Sequence, residues 1–267
     1  MTRLIVGSEG LLAVVTEVTV KLIPLPPFRA VLAAGFDSMK TAARVIRAIF
    51  QNGFLPCAVE VADQFTLEAA RRRTGSDLLD GSRALVMVEV DGQEQSVRGE
   101  ARALEKLARS HKPVFVQRAY GSENCEKLWL LRREFSFALR DTGLVKLNED
   151  IAVPRSRLED LFAFTARLQK KFDLPIACFG HAGDGNIHVN VMYDTNWPGV
   201  KRRTREALDE LFRQVLAWDG VITGEHGIGL AKKRWWPLAA GPELRELHRK
   251  VKQSLDPKGI LNPGKFV

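Results

Sequence analysis

The sequence predicts an α+β fold: a ferredoxin-like antiparallel sheet with helices on one face. Three observations predict it. The hydrophobic period switches repeatedly between that of a strand and that of a helix. Strand-helix-strand units occur twice in succession between Phe28 and Val116. Two later apolar segments are joined only by a tight turn containing Asp184-Gly185, which calls for antiparallel neighbours.

Taken in order, Val14, Thr16, Val18, Val20 and Leu22 alternate as one face of a strand that ends at Pro24-Leu25-Pro26-Pro27. Phe28 to Phe36 is apolar enough for a buried strand. A helix follows from about Ser38, with Ala42, Val45, Ile46 and Ile49 at helical spacing and a stop near Gly53. The next strand runs from Cys57 to Ala62, a short helix carries Phe65 and Leu67, and Gly75 to Ser82 reads as an exposed loop. The pattern then recurs: an Ala84 to Val90 strand, a break at Asp91-Gly92, a helix with the stripe Val97, Ala101, Leu104 and Ala108, and a strand around Val114 to Val116. A helix over Glu123 to Arg140 presents Leu128, Leu131 and Phe135, and a strand covers Leu144 to Val153. Ser156 and Glu159 have the spacing of a capping box, which starts a helix that reaches Phe172. Ile176 to His181 and Ile187 to Met192 are strands, Arg203 to Trp218 is a helix, and Pro242 opens a last helix with Leu244, Leu247 and Val251 on one side. Turn-forming residues fill Asp256 to Lys265.

With 267 residues, 45% hydrophobic and 27% charged, the chain has the composition of a globular protein that can bury a sizeable core. No apolar run approaches the roughly 18 to 20 residues of a spanning helix, and Met1 to Gly7 lacks the features of a secretory signal, so a cytoplasmic location is expected. Cys57, Cys125 and Cys178 are far apart and form no CxxC, which excludes a thiolate metal site and a disulfide framework. The net charge of +8 raises the question of nucleic acid, but its basic clusters lie on or beside separate helices, mixed with acids and without interleaved aromatics. A nucleic-acid partner is therefore not expected. An acidic small molecule suits the charge better.

Gly180-His181-Ala182-Gly183-Asp184-Gly185-Asn186-Ile187-His188 is the most informative stretch. A two-residue turn at Asp184-Gly185 pairs His181 directly with His188 and puts both imidazoles on one face. Their Cβ atoms would then be about 4.5 to 5.5 Å apart, near enough to share one divalent cation. Gly224-Glu225-His226-Gly227-Ile228-Gly229 adds a carboxylate and a third imidazole in a glycine-rich loop. Two His and one Glu form the donor set of an open, catalytic metal site, which zinc, iron or manganese could fill. His226 is then left to accept a proton. A metal-dependent hydrolase or a scaffold with a vestigial site would use the same residues, although no HExxH helix is present.

Together with Asn262-Pro263-Gly264-Lys265 and the opening Gly7-Ser8-Glu9-Gly10, these two motifs resemble the FAD-linked oxidases and dehydrogenases with a vanillyl-alcohol-oxidase-type flavin domain, in the glycolate, D-lactate and D-2-hydroxyglutarate branch. The resemblance implies that residues 1–27 are the end of an FAD-binding domain, that 28–240 form a substrate- and metal-binding cap domain, and that 241–267 return toward the flavin. It implies metal ligation by His181, His188 and Glu225, proton transfer by His226, and substrate binding by Arg132, Ser136, Lys146 and Asn148. Gly7, Ser8, Glu9, Gly10 and Asn262 would touch FAD. Oxidation of a small 2-hydroxy acid to a 2-oxo acid is the implied reaction, with a separate N-terminal FAD-binding half or an electron-transfer protein as partner; a homodimer stays open. Leu11 and Ala13 replace the Thr and second Gly of the family's usual Gly-Ser-Glu-Gly-Thr-Leu-Gly, and the family's glycine-rich pyrophosphate loop does not occur in these residues. By itself the chain is accordingly expected to hold no stable flavin and to be inactive.

Overall fold

A computed structural model describes residues 1–267. In chain order the elements are α1 (Thr2–Ile5), β1 (Phe28–Phe36), α2 (Met39–Gln51), β2 (Ala58–Asp63), α3 (Gln64–Thr74), β3 (Ala84–Gly92), α4 (Glu94–Ser110), β4 (Phe115–Tyr120), α5 (Gly121–Arg140), β5 (Val145–Ala152), α6 (Leu158–Phe172), β6 (Ile176–His181), β7 (Asn186–Tyr193), α7 (Val200–Ala217), α8 (Trp236–Ala239) and α9 (Pro242–Leu255). Local chemistry starts several of them where expected. The Ser38 hydroxyl accepts from Thr41 N at the head of α2, and Asp63 does the same for Thr66 N at the head of α3.

All strands join one seven-stranded sheet in the order β4-β1-β3-β2-β6-β7-β5, and every pairing is antiparallel. The first four strands, in the order β4-β1-β3-β2, reproduce the ferredoxin-like arrangement predicted from the two strand-helix-strand units. β6, β7 and β5 extend that sheet through a short contact in which Glu60 pairs with His181. Strand alternation sorts the core into two layers. Ala30, Leu32, Val86 and Val88 face the stripes of α2 and α4, and this layer continues beneath α6 and α7. Val31, Ala33, Leu85 and Met87 face the other way, against Leu67 of α3 and Leu128, Phe135 and Leu139 of α5. The second, smaller helical layer goes beyond the single helical face predicted: the α5 stripe is too apolar to lie in water and closes over the far side of β1 and β3.

Three local expectations are corrected. Val14 to Leu22 pairs with no strand, and Val14, Val18, Val20 and Leu22 are all exposed; alternation marks a surface fit for pairing, and neither sheet edge, β4 or β5, offers its backbone there. The Ser156–Glu159 capping box does not form. A 3-10 turn at Arg155–Arg157 leads into α6 without a side-chain cap, and Glu159 instead meets Arg44 and Arg47 of α2. The loop at Gly75 to Ser82 contains a further 3-10 turn, Asp77–Leu79, because Leu79 is fully buried. Leu244 and Leu247 of α9 remain largely exposed. No helix is long and apolar enough to cross a membrane.

Candidate functional site

The site is built on the sheet face that α5 only partly covers. β6 and β7 do form a hairpin, but its register differs from the two-residue turn expected: His181 pairs with Asn186, and His188 with Phe179. Four residues, Ala182 to Gly185, make the turn. Its tip is held from two sides, by Gly183 N donating to Val59 O and Val153 N donating to Gly185 O. Those tertiary bonds outweigh the intrinsic preference of Asp-Gly for a type I′ turn. A shift of two positions preserves the face, so His181 and His188 become diagonal neighbours with ring centroids 5.7 Å apart. Gly185 has φ of +75°, and a Cβ there would run into the Val153 carbonyl oxygen. Gly185→Ala is expected to cost at least about 1–3 kcal/mol from backbone strain alone, a fall in Tm of about 2–4 °C per kcal/mol. Thermal denaturation checks it; an unchanged Tm would show that the hairpin tip is not held as described.

Glu225 and His226 arrive from a loop that is wrapped around one buried side chain. Asp150, in β5, pairs with His188 across the sheet. Its carboxylate accepts from the Thr223 hydroxyl at 2.8 Å and from the backbone N–H groups of Gly224 (2.9 Å), Glu225 (3.1 Å) and His226 (2.9 Å). Burial alone would raise its pKa, but those donors and nearby Lys232 hold it down at about 2. Lys232, itself buried, donates to the Asp150 carbonyl at 2.7 Å, and burial lowers its pKa. Burial also lifts neighbouring Glu149 to about 7, against the pull of Lys232. The far end of the loop is gripped by Glu9, which accepts from Ile228 N at 2.7 Å and Gly229 N at 2.8 Å.

This scaffold brings the expected ligands together. His181 Nε2 lies 3.7 Å and His188 Nε2 3.5 Å from Glu225 Oε1. Two donors bound tetrahedrally at about 2.0 to 2.2 Å stand roughly 3.4 Å apart, which both separations approach, and all three donor atoms lie within 4.8 Å of one another. Two further features suit such a centre. His181 has its other nitrogen, Nδ1, fixed 2.6 Å from Glu60 Oε1, the support that metal-bound imidazoles commonly have. Burial and the neighbouring His181 and His226 push the pKa of His188 down to about 4, which keeps it a neutral donor at ordinary pH. Asp150, His188 and His226 form a second cluster of donors, but Asp150 is already engaged by the loop.

Beside the three imidazoles opens a cleft of about 680 Å³, whose wall includes Arg132 and Ser136 from α5, Lys146 and Asn148 from β5, and Phe179. All four residues expected to bind substrate therefore face the space next to the candidate metal centre. Lys146 donates to the Ser136 hydroxyl at 2.7 Å, and its pKa is lowered by burial and by Arg140. His226, half exposed, stacks on His188 with centroids 5.3 Å apart. At the opposite side of the loop, Asn262 donates to the Glu9 carbonyl and lies against Gly10. Glu9 thus spends its carboxylate on the loop, and Gly7 and Ser8 line a hollow with Leu247, His248 and Phe266.

Sequence reasoning missed Glu60, Asp150, Lys232 and Arg140. Glu60 had a signal, a carboxylate set within a strand between Val59 and Val61, where burial demands partners; Asp150, which follows Asn148 and Glu149, did not stand out in that way. Lys232 and Arg140 had none, being ordinary members of basic helical or loop segments.

Comparison with known proteins agrees with this architecture. Residues 25–266 match the family of FAD linked oxidases, C-terminal domain. The chain is 33% identical over its whole length to the glycolate oxidase subunit GlcD of Bacillus subtilis, of which it covers 57%, and 30% identical to the mitochondrial D-lactate dehydrogenase (cytochrome) of Arabidopsis thaliana, of which it covers 47%. It thus spans about half the length of these curated relatives. Among solved structures, alkyldihydroxyacetonephosphate synthase superposes with a TM-score of 0.65 at 17% identity, covering 98% of this chain and 49% of that one. A 4-ethylphenol oxidase from Gulosibacter chungangensis gives 0.64 at 18%, covering 92% and 55%. At such identities the likeness is one of fold. The full-length sequence match, together with the shared sheet, places this chain in the FAD-linked oxidase family, as a C-terminal domain of those oxidoreductases.

Proposed function

We propose that the chain is the substrate- and metal-binding part of an FAD-dependent enzyme that oxidises a D-2-hydroxy acid, of the glycolate, D-lactate or D-2-hydroxyglutarate type, to the 2-oxo acid. The observation that carries this reading is the approach of His181 and His188 to Glu225 at the edge of a cleft lined by Arg132 and Lys146. A divalent ion held there would act as a Lewis acid on the substrate hydroxyl, and FAD, bound mainly by the other half of the enzyme, would take the hydride from C2. The chain's own residues do the rest. Arg132 and Lys146 attract and orient the carboxylate, with Ser136 and Asn148 as polar neighbours. His226 accepts the hydroxyl proton at a ring nitrogen as the alcohol is oxidised.

Metal uptake by this chain tests the proposal without any flavin. Titration with Zn²⁺ or Mn²⁺ against a competing chelator is expected to show one site per chain. Its affinity should fall roughly 100-fold or more in His181→Ala and Glu225→Gln, which each remove one of three protein ligands. A wild-type chain that takes up neither ion would overturn the metal part of the reading.

A further inference from the structure

Glu60 lies in the middle of β2 between Val59 and Val61, only 4% exposed, and its backbone pairs with His181 of β6 on one side and Met87 of β3 on the other. An ionised carboxylate so far from water needs partners for both oxygens. It has two, of different kinds: Oε1 lies 2.6 Å from His181 Nδ1, and Oε2 accepts from Arg132 Nε at 2.5 Å. The two partners serve different halves of the cleft. His181 turns its Nε2 toward Glu225, whereas Arg132, its side chain 12% exposed, lies with Cζ 5.0 Å from the Phe179 ring centre and lines the space for substrate. Because Glu60 takes Nε, the two terminal guanidinium nitrogens stay available for a ligand carboxylate.

We propose that Glu60 is the positioning residue that ties the metal centre to the substrate-binding arm. It touches neither metal nor substrate. Accepting from His181 Nδ1 sets the tautomer in which Nε2 carries the lone pair facing Glu225. Accepting from Arg132 holds the guanidinium fork in the cleft and supplies the counter-charge that a nearly buried cation requires. One carboxylate thus maintains the spacing between metal and guanidinium, which a 2-hydroxy acid must span from its hydroxyl to its carboxylate. The inference rests on the metal and hydroxy-acid reading above.

Two measurements test it. In the metal-free wild-type chain, at a pH alkaline enough for the imidazoles to be neutral, nitrogen-detected NMR should find His181 with its proton on Nδ1; a proton on Nε2 alone would overturn the proposal without any variant. In Glu60→Gln, the amide can keep both contacts only by accepting from Arg132 and donating to His181 Nδ1, which moves the imidazole proton to Nε2 and removes the lone pair that faces Glu225. Zn²⁺ affinity is expected to drop 10–100-fold, and D-lactate should bind the metal-saturated variant more weakly than the wild type. Glu60→Asp, which keeps the charge but is too short to reach both partners, should fall between the two. If the wild type binds Zn²⁺, His181→Ala weakens binding as expected and Glu60→Gln matches the wild type in both affinities, Glu60 has no positioning role while the metal reading stands. If the wild type itself binds no ion, the failure lies in the metal reading and the NMR tautomer alone decides the role of Glu60.

Discussion

His226→Ala in the complete, flavin-loaded enzyme is expected to lower the rate of flavin reduction by about 100- to 10,000-fold, the usual worth of a positioned general base, while substrate affinity changes by only a few-fold. The separation follows from the geometry. His226 stands outside the set His181, His188 and Glu225, so its loss leaves those three donors in place, and Arg132 and Lys146, the proposed carboxylate anchors, stay in the cleft wall. Its backbone N–H, not its ring, contributes to the wrap around Asp150, and alanine retains that bond. What disappears is a ring stacked on His188 with Nε2 3.8 Å from Glu225 Oε1, beside the position where a hydroxyl bound to the metal would release its proton. Stopped-flow reduction at saturating substrate reads the chemical step directly. A reduction rate equal to that of the wild type would remove His226 from the reaction.

Asp150→Ala should be the most damaging single change in the loop. It removes the acceptor of three backbone N–H groups and of the Thr223 hydroxyl, part-buried bonds worth about 1 kcal/mol each, and it takes a counter-charge from buried Lys232. Removing one partner of a buried ion pair costs about 3–5 kcal/mol, so the variant is expected to unfold locally or globally near room temperature and to lose metal binding with the Glu225 position. Asp150→Asn, which keeps the shape and one acceptor oxygen, should retain the fold with weakened metal affinity. The sign of the pH effect is set by a depressed pKa. The Asp150 contribution is complete above the ordinary carboxylate range and is lost as pH falls toward about 2. Calorimetry and metal titration check both variants; an Asp150→Ala chain with wild-type Tm and metal affinity would show that the loop does not depend on this anchor.

The legible and illegible parts of the site differ in kind. His181, His188, Glu225 and His226 could be picked out because their residue types are costly to place together without a use, and the glycines around them marked close turns. The error in hairpin register did no harm to that reading, because a shift of two residues returns every side chain to its own face. Glu60 is illegible for the opposite reason. It lies 72 residues from Arg132 and 121 from His181, and only the pairing of β2 with β6 brings the three together.

Taken alone, the sequence determined the α+β alternation, the ferredoxin-like order of the first strands and the candidate donors, since hydrophobic period, turn chemistry and residue type are local properties. Tertiary structure decided which apparent strand stays unpaired, that α3 and α5 add a second helical layer, and that Asp150, Glu9 and Glu60 hold the loop and the cleft in place. Those outcomes depend on which buried polar group finds a partner across the sheet, and no local window contains both members of such a pair.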